Sequence, residues 1–258
     1  MSEAGSPTYL ERPVRAGVDA VVWQRRVSAE SVAVLPDGCM DLVWLGGRLV
    51  VAGPDTRAQH STAVPATTVY GIRFAPGTAP ALLGVAAAEL LDRRVELARL
   101  WPDRRVRLLA DLVAAAPDPV AGLEEIAHRC AAAAGSPDPV LRQIVRRLDT
   151  GESVAATAEA LGLGARRLHR ISVSAFGYGP KMLARVLRMR RALDLARSDI
   201  GFADTAALAG YADQAHMSRD IRALTGRSPG HVIGTRERPR PEIRVGGIRP
   251  GGIQLSGA

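Results

Sequence analysis

The sequence contains no asparagine, a single lysine (Lys181) and only two cysteines, Cys39 and Cys130. The cysteines lie far apart, outside any Cys-x-x-Cys or Cys/His cluster, so neither a disulfide framework nor a structural zinc site is expected and a reducing compartment fits. Aromatic residues make up 4% of the chain. No window approaches the roughly eighteen continuous apolar residues that a membrane span needs. The opening MSEAGSPTYLERPVRAG lacks the apolar stretch of a signal peptide. The expectation is a cytoplasmic protein with no membrane partner. No P-loop, G-x-G-x-x-G or H-E-x-x-H occurs, so nucleotide, cofactor and metal chemistry find no support.

What the chain does have is arginine. Its 258 residues, 47% hydrophobic and 23% charged, carry 34 cations against 26 anions for a net charge of +8. Such a balance favours an anionic partner, nucleic acid first. The distribution matters more than the total. Residues 1–138 carry 14 cations and 16 anions, whereas residues 139–258 carry 20 and 10. The whole basic excess therefore sits in the C-terminal half, which predicts two domains with different partners.

Turn chemistry places the boundary. Pro117-Asp118-Pro119 and Gly135-Ser136-Pro137-Asp138-Pro139 interrupt helical patterns, dividing the chain into an N-terminal sensory or dimerisation domain (1–135) and a basic domain (138–232). Residues 233–258, rich in Pro, Gly and Arg, read as a disordered basic tail in which Arg236, Arg238, Arg240 and Arg244 add non-specific electrostatics. The fold class is α+β. AVVWQRRV, SVAVL, CMDLVWL, RLVVAG and TTVYGIRF read as short strands of a small sheet or barrel, cupin-like in outline. Residues 78–134 read as flanking helices, and everything onward to Gly230 as helices with short turns.

The basic half repeats itself. Thr157-Ala158 returns as Thr205-Ala206, Gly162 as Gly210, Leu168-His169-Arg170 as Met217-Ser218-Arg219, and Gly177-x-x-Pro180 as Gly226-x-x-Pro229. Each copy reads as a helix, a tight turn and a second helix stopped by Gly-x-x-Pro, a helix-turn-helix. A longer amphipathic helix, from Pro180 through Arg197, joins them. Its Arg185, Arg188, Arg190 and Arg191 are expected to be solvated or to face phosphates.

The array LGARRLHR, FGYGPK, LRMRRALDLARS and GFADTAALAGYADQAHMSRDIRALTGRSPG resembles the DNA-binding domain of AraC/XylS-family transcription regulators. Leu35-Pro36-Asp37-Gly38-Cys39-Met40-Asp41 and Gly71-Ile72-Arg73-Phe74-Ala75-Pro76-Gly77 look like a sensory domain that accompanies some of these regulators. The resemblance implies sequence-specific binding to double-stranded promoter DNA and no catalysis. RNA polymerase, a small-molecule effector and a second copy of the chain are further candidate partners.

Helical geometry selects the contact residues. With Leu168 at the core, Ser172 and Ala175 fall on the buried side, Arg166 and Arg170 fall opposite, and Arg167 and His169 flank them. In the second helix Met217, Ile221 and Leu224 are expected inside and Arg219, Ala215 and Arg222 outside, with Asp213 as N-cap. Arg166 and Arg170 suit guanine, and Gln214 suits adenine. The family's contact positions add His216 and Arg219, with Ser218 in the same signature.

Trp23, Trp44, Tyr70 and Phe74 lie on strands and are candidates to line an effector pocket. Cys39, His60 and His128 are expected to be structural. Gly226-Arg227-Ser228-Pro229-Gly230 formally satisfies G-x-S-x-G, but Pro229 has no N–H for an oxyanion hole. Two rival readings stand beside the regulator: a sequence-indifferent architectural DNA binder, and an enzyme domain fused to a DNA-binding module.

Overall fold

The computed structural model describes residues 9–15, 17–27, 33–60, 67–135, 138–198 and 200–234. The expected basic tail, apart from its first two residues, lies outside them.

The N-terminal strands are β1 (Tyr9–Pro13), β2 (Ala20–Arg26), β3 (Ala33–Val34), β4 (Met40–Leu45), β5 (Arg48–Ala52), β6 (Gln59–His60), β7 (Thr68–Phe74) and β8 (Arg94–Glu96). Six form one antiparallel sheet in the order β1-β2-β7-β4-β5-β8, and β3 pairs with β6. Gly46 and Gly47, at φ 55° and 81°, make the two-residue turn between β4 and β5; positive φ at both positions is what such a hairpin turn requires.

Strand alternation then decides the faces. Ala20, Val22, Met40, Leu42, Leu49, Val51, Ile72 and Phe74 point into one core, which α2 (Asp103–Ala115) and α3 (Pro119–Ala134) close with Val113, Leu123, Ile126 and Ala127. The sheet is open, with β1 and β8 at opposite ends of the order. Its apolar face is already covered by helices, so closure into a barrel would bury little more.

The helical reading of residues 78–134 needs correction. Only Ala79–Leu83 (α1) precedes α2 as an α-helix, and β8 with two 3₁₀ turns fills the interval. Gly84 and Asp92, both at positive φ, stop helical propagation there. The edge strand β1 was not expected either, and Pro13 sits at its end, a position a sheet edge tolerates.

The second domain comprises α4 (Pro139–Asp149), α5 (Val154–Ala160), α6 (Ala165–Phe176), α7 (Pro180–Arg197), α8 (Phe202–Ala209), α9 (Gln214–Thr225) and α10 (Pro229–Gly234). Ile233 and Gly234 thus belong to α10. Two cores share α7. Leu183, Val186 and Leu187 join Ile144, Leu148, Leu168 and Phe176 in the first. Met189, Ala192 and Leu193 join Ala206, Met217, Ile221 and Leu224 in the second.

Candidate nucleic-acid interface

Each helix-turn-helix is set by its caps. Ser153 Oγ accepts from the Ala156 N–H at 3.1 Å to start α5, and Gly162 at φ 62° makes the turn to α6. In the second unit Gly210 at φ 81° ends α8, and Asp213 accepts from the His216 N–H at 2.6 Å to start α9. Gly177 and Gly226, both left-handed, terminate α6 and α9.

The inner faces of α6 and α9 are as apolar as their spacing demands. Leu168, Ser172 and Ala175 are buried on α6, and Met217, Ile221 and Leu224 on α9. Their outer faces carry charge. Arg166, Arg167, His169 and Arg170 are exposed on α6, and Gln214, Ala215, Arg219 and Arg222 on α9. Among the described residues Arg166, Arg167, Arg170 and Arg219 make no ion pair, which leaves their guanidinium forks free for an anionic or base-edge acceptor.

The other site candidates are placed differently. The His169 ring lies over the backbone of Gly179, close enough that a Cβ there would fall 2.7 Å from it. His216 and Ser218 are half-buried, and His216 meets the Tyr211 ring edge-on at 5.2 Å.

The α7 arginines are not the solvated groups expected. Asp220 of α9, 8% exposed, accepts from Arg185, from Arg188 at 3.4 Å and from the Tyr211 hydroxyl at 3.1 Å. Arg188 also stacks over the Tyr211 ring at 4.4 Å. Arg191 donates to the carbonyls of Ala209 and Leu148, and Arg190 to that of Asp37 in the N-terminal domain at 2.9 Å. Burial, with Asp220 next in effect, pushes the Tyr211 phenol well above its ordinary pKa. The sequence held a signal for this network: Asp220 stands on the same helical stripe as Met217, Ile221 and Leu224, where an acid must find a buried partner.

A cavity of about 300 Å³ lies on the sheet face turned away from α2 and α3, lined by Trp23, Arg25, Asp37, Cys39, Asp41, Val43, Val50, Asp55, His60 and Arg94. Trp23 Nε1 donates to Asp41 at 2.7 Å, and Arg94 grips Asp55 with both Nη atoms at 2.8 and 2.7 Å. Behind them Arg73, 3% exposed, has Nε 3.4 Å from both Asp37 and Asp41. Burial works against that charge, and Asp41 and Asp37 more than offset it. Burial, with Asp37 next in effect, pushes the Cys39 thiol above its ordinary pKa. Of the four aromatic candidates Trp23 faces this cavity, whereas Phe74, Trp44 and Tyr70 pack on the helix-covered face.

Residues 141–234 match the family described as a helix-turn-helix domain. The match spans both helix-turn-helix units, whose α6 and α9 carry arginines with no ion pair among the described residues. The chain is a DNA-binding regulator with an AraC-type double helix-turn-helix domain.

Residues 16–96 of the regulator match a domain of unknown function (DUF6597). No curated protein matches the chain. Among solved structures the regulator is similar to the C-terminal domain of AraT, a response regulator from Geobacillus stearothermophilus, at 22% identity over 40% of this chain and 91% of that one, with a TM-score of 0.36. A probable AraC family transcriptional regulator from Rhodopseudomonas palustris shares 22% identity over 40% of this chain and all of its own, at a TM-score of 0.33. An apo variant of ToxT from Vibrio cholerae aligns over 84% of this chain and 97% of its own, at 10% identity and a TM-score of 0.48.

In the regulator the G-x-S-x-G segment is structural. Gly226 caps α9, Pro229 opens α10, and the Ser228 carbonyl accepts from the Val232 N–H at 3.0 Å. Among the described residues no helix is long and apolar enough to cross a membrane.

Proposed function

We propose that the regulator reads a long, non-palindromic site by laying α6 and α9 in successive major grooves on one side of the duplex, about 34 Å apart. The observation that carries this is the matched exposure of unpaired arginines on the outer faces of both reading helices. Arg166 and Arg170 donate to guanine O6 and N7, and Gln214 pairs with adenine. Arg167 and Arg219 flank these contacts. His169, His216 and Ser218, leaning on protein, hold register against the backbone.

The first helix supplies more of the discrimination, because Ala215 occupies on α9 the place that Arg166 occupies on α6. The regulator acts in the cytoplasm by binding rather than turnover. The sheet-face cavity, with Trp23 on one side and paired charges around it, supports a small-molecule effector that biases DNA binding.

Selection from a random duplex pool by the full chain, at physiological salt, tests the reading. Two enriched blocks one helical turn apart are expected. Recovery of no enriched block, together with a steep salt slope, would favour the architectural binder instead.

A further inference from the structure

The two helix-turn-helix units have separate cores and are joined through α7, eighteen residues long. A single helix limits their reach but leaves their mutual roll, and with it the separation of α6 and α9, to its own stiffness. The N-terminal domain supplies further restraints: Gly77 and the segment 87–91 pack against the first unit, and the stretch between Leu35 and Ala58 touches both units and the helix between them.

Pro54 lies against the C-terminal cap of α6, so close that a Cβ on Gly177 would fall 2.5 Å from its Cγ. Only glycine, left-handed there at φ 83°, allows that approach. In the middle, the Asp37 carbonyl accepts from Arg190 of α7, and Gly38 sits against Leu183. At the far end the Ala58 N–H donates to the Leu224 carbonyl, at the C-terminal end of α9, at 2.8 Å, and Leu35 packs on the second core. One stretch of the sensory domain therefore holds the C-terminal ends of both reading helices and the helix between them. It leaves their DNA-facing arginines untouched.

We infer that this stretch is a brace that fixes the separation at which the two helices can read DNA, so that the N-terminal domain is a determinant of half-site spacing. This rests on the two-helix reading proposed above. Specificity then has two independent parts: base identity resides in residues such as Arg166, and spacing in contacts such as Asp37–Arg190 and Ala58–Leu224. Asp37 also lines the sheet-face cavity, which places the brace where an effector would touch it.

The test selects sites from a random duplex pool with the wild-type full chain, with Arg190→Ala and with Ala58→Pro, which removes the donating N–H. Two variants that break the brace at different points, its middle and its far end, guard against one failing to fold, and circular dichroism checks each. The wild-type pool is expected to hold one spacing between its two blocks. Both variant pools should hold the same blocks at additional spacings, with the penalty for a one-base-pair change reduced at least about threefold, equivalent to about 0.65 kcal/mol. A single, unchanged spacing in folded variants would overturn the brace while leaving two-helix reading intact. No enriched block with the wild-type chain would overturn the two-helix reading and the brace with it.

Discussion

The Tyr211 hydroxyl donates to the Asp220 carboxylate at 3.1 Å, tying the turn before the second reading helix to the buried face of that helix. Arg185 and Arg188 of α7 converge on the same carboxylate, so one acid positions α9 against both its own turn and the helix linking the two units.

Asp220→Ala should therefore destabilise the DNA-binding domain. The two arginines are about one-third exposed and can turn to water, so the expected cost is about 2 kcal/mol rather than the larger figure for a fully buried pair. Chemical denaturation of the full chain measures it. A loss below about 0.5 kcal/mol would show that the network contributes nothing to folding.

Ser172 and Thr157 are both fully buried, and neither hydroxyl has a partner among the described residues. Ser172→Ala removes such a group without changing the backbone. It should raise stability by about 1 kcal/mol. Thermal unfolding reads this directly, and a fall of similar size would reveal a bond to the hydroxyl.

Glu124 of α3 holds the edge strand. It accepts from Arg12 at 3.1 and 2.6 Å and from the Arg15 N–H at 2.6 Å. The bonds from Arg12 hold its carboxyl below its ordinary 4.5. A depressed acid contributes stability above its unfolded value and loses it as pH falls through the folded one. The stability gap between wild type and Glu124→Gln should thus be widest near neutral pH and close below about pH 4.5. A gap that widens on acidification would contradict a carboxyl held below its ordinary pKa.

The expected repeat, Asp213 as N-cap, and the inner and outer faces of both reading helices were legible because each follows from local spacing and cap chemistry. Four of the five expected strands were legible from short β-type runs between turn residues; of the fifth, SVAVL, Ala33–Val34 is a strand and pairs with β6 outside the main sheet. Alternation alone, however, cannot say which sheet face the helices cover. Phe74 and Trp23 look equivalent in sequence and lie on opposite faces. Arg185, Arg188 and Arg190 look like solvated charge on an amphipathic helix, because their partners, Asp220 and Asp37, are distant in the chain. The strand at Arg94–Glu96 was hidden by alanine- and leucine-rich neighbours whose helical propensity the turn at Asp92 overrides.

Reading by α6 is tested most directly by equilibrium binding of wild type and Arg166→Ala, at one fixed salt concentration, to the selected duplex and to a scrambled one. Arg166→Ala should weaken binding to the selected duplex by about 1–3 kcal/mol, relax preference at one base position, and leave the scrambled duplex nearly unaffected. Equal weakening on both duplexes would make Arg166 a phosphate contact and contradict base reading by α6.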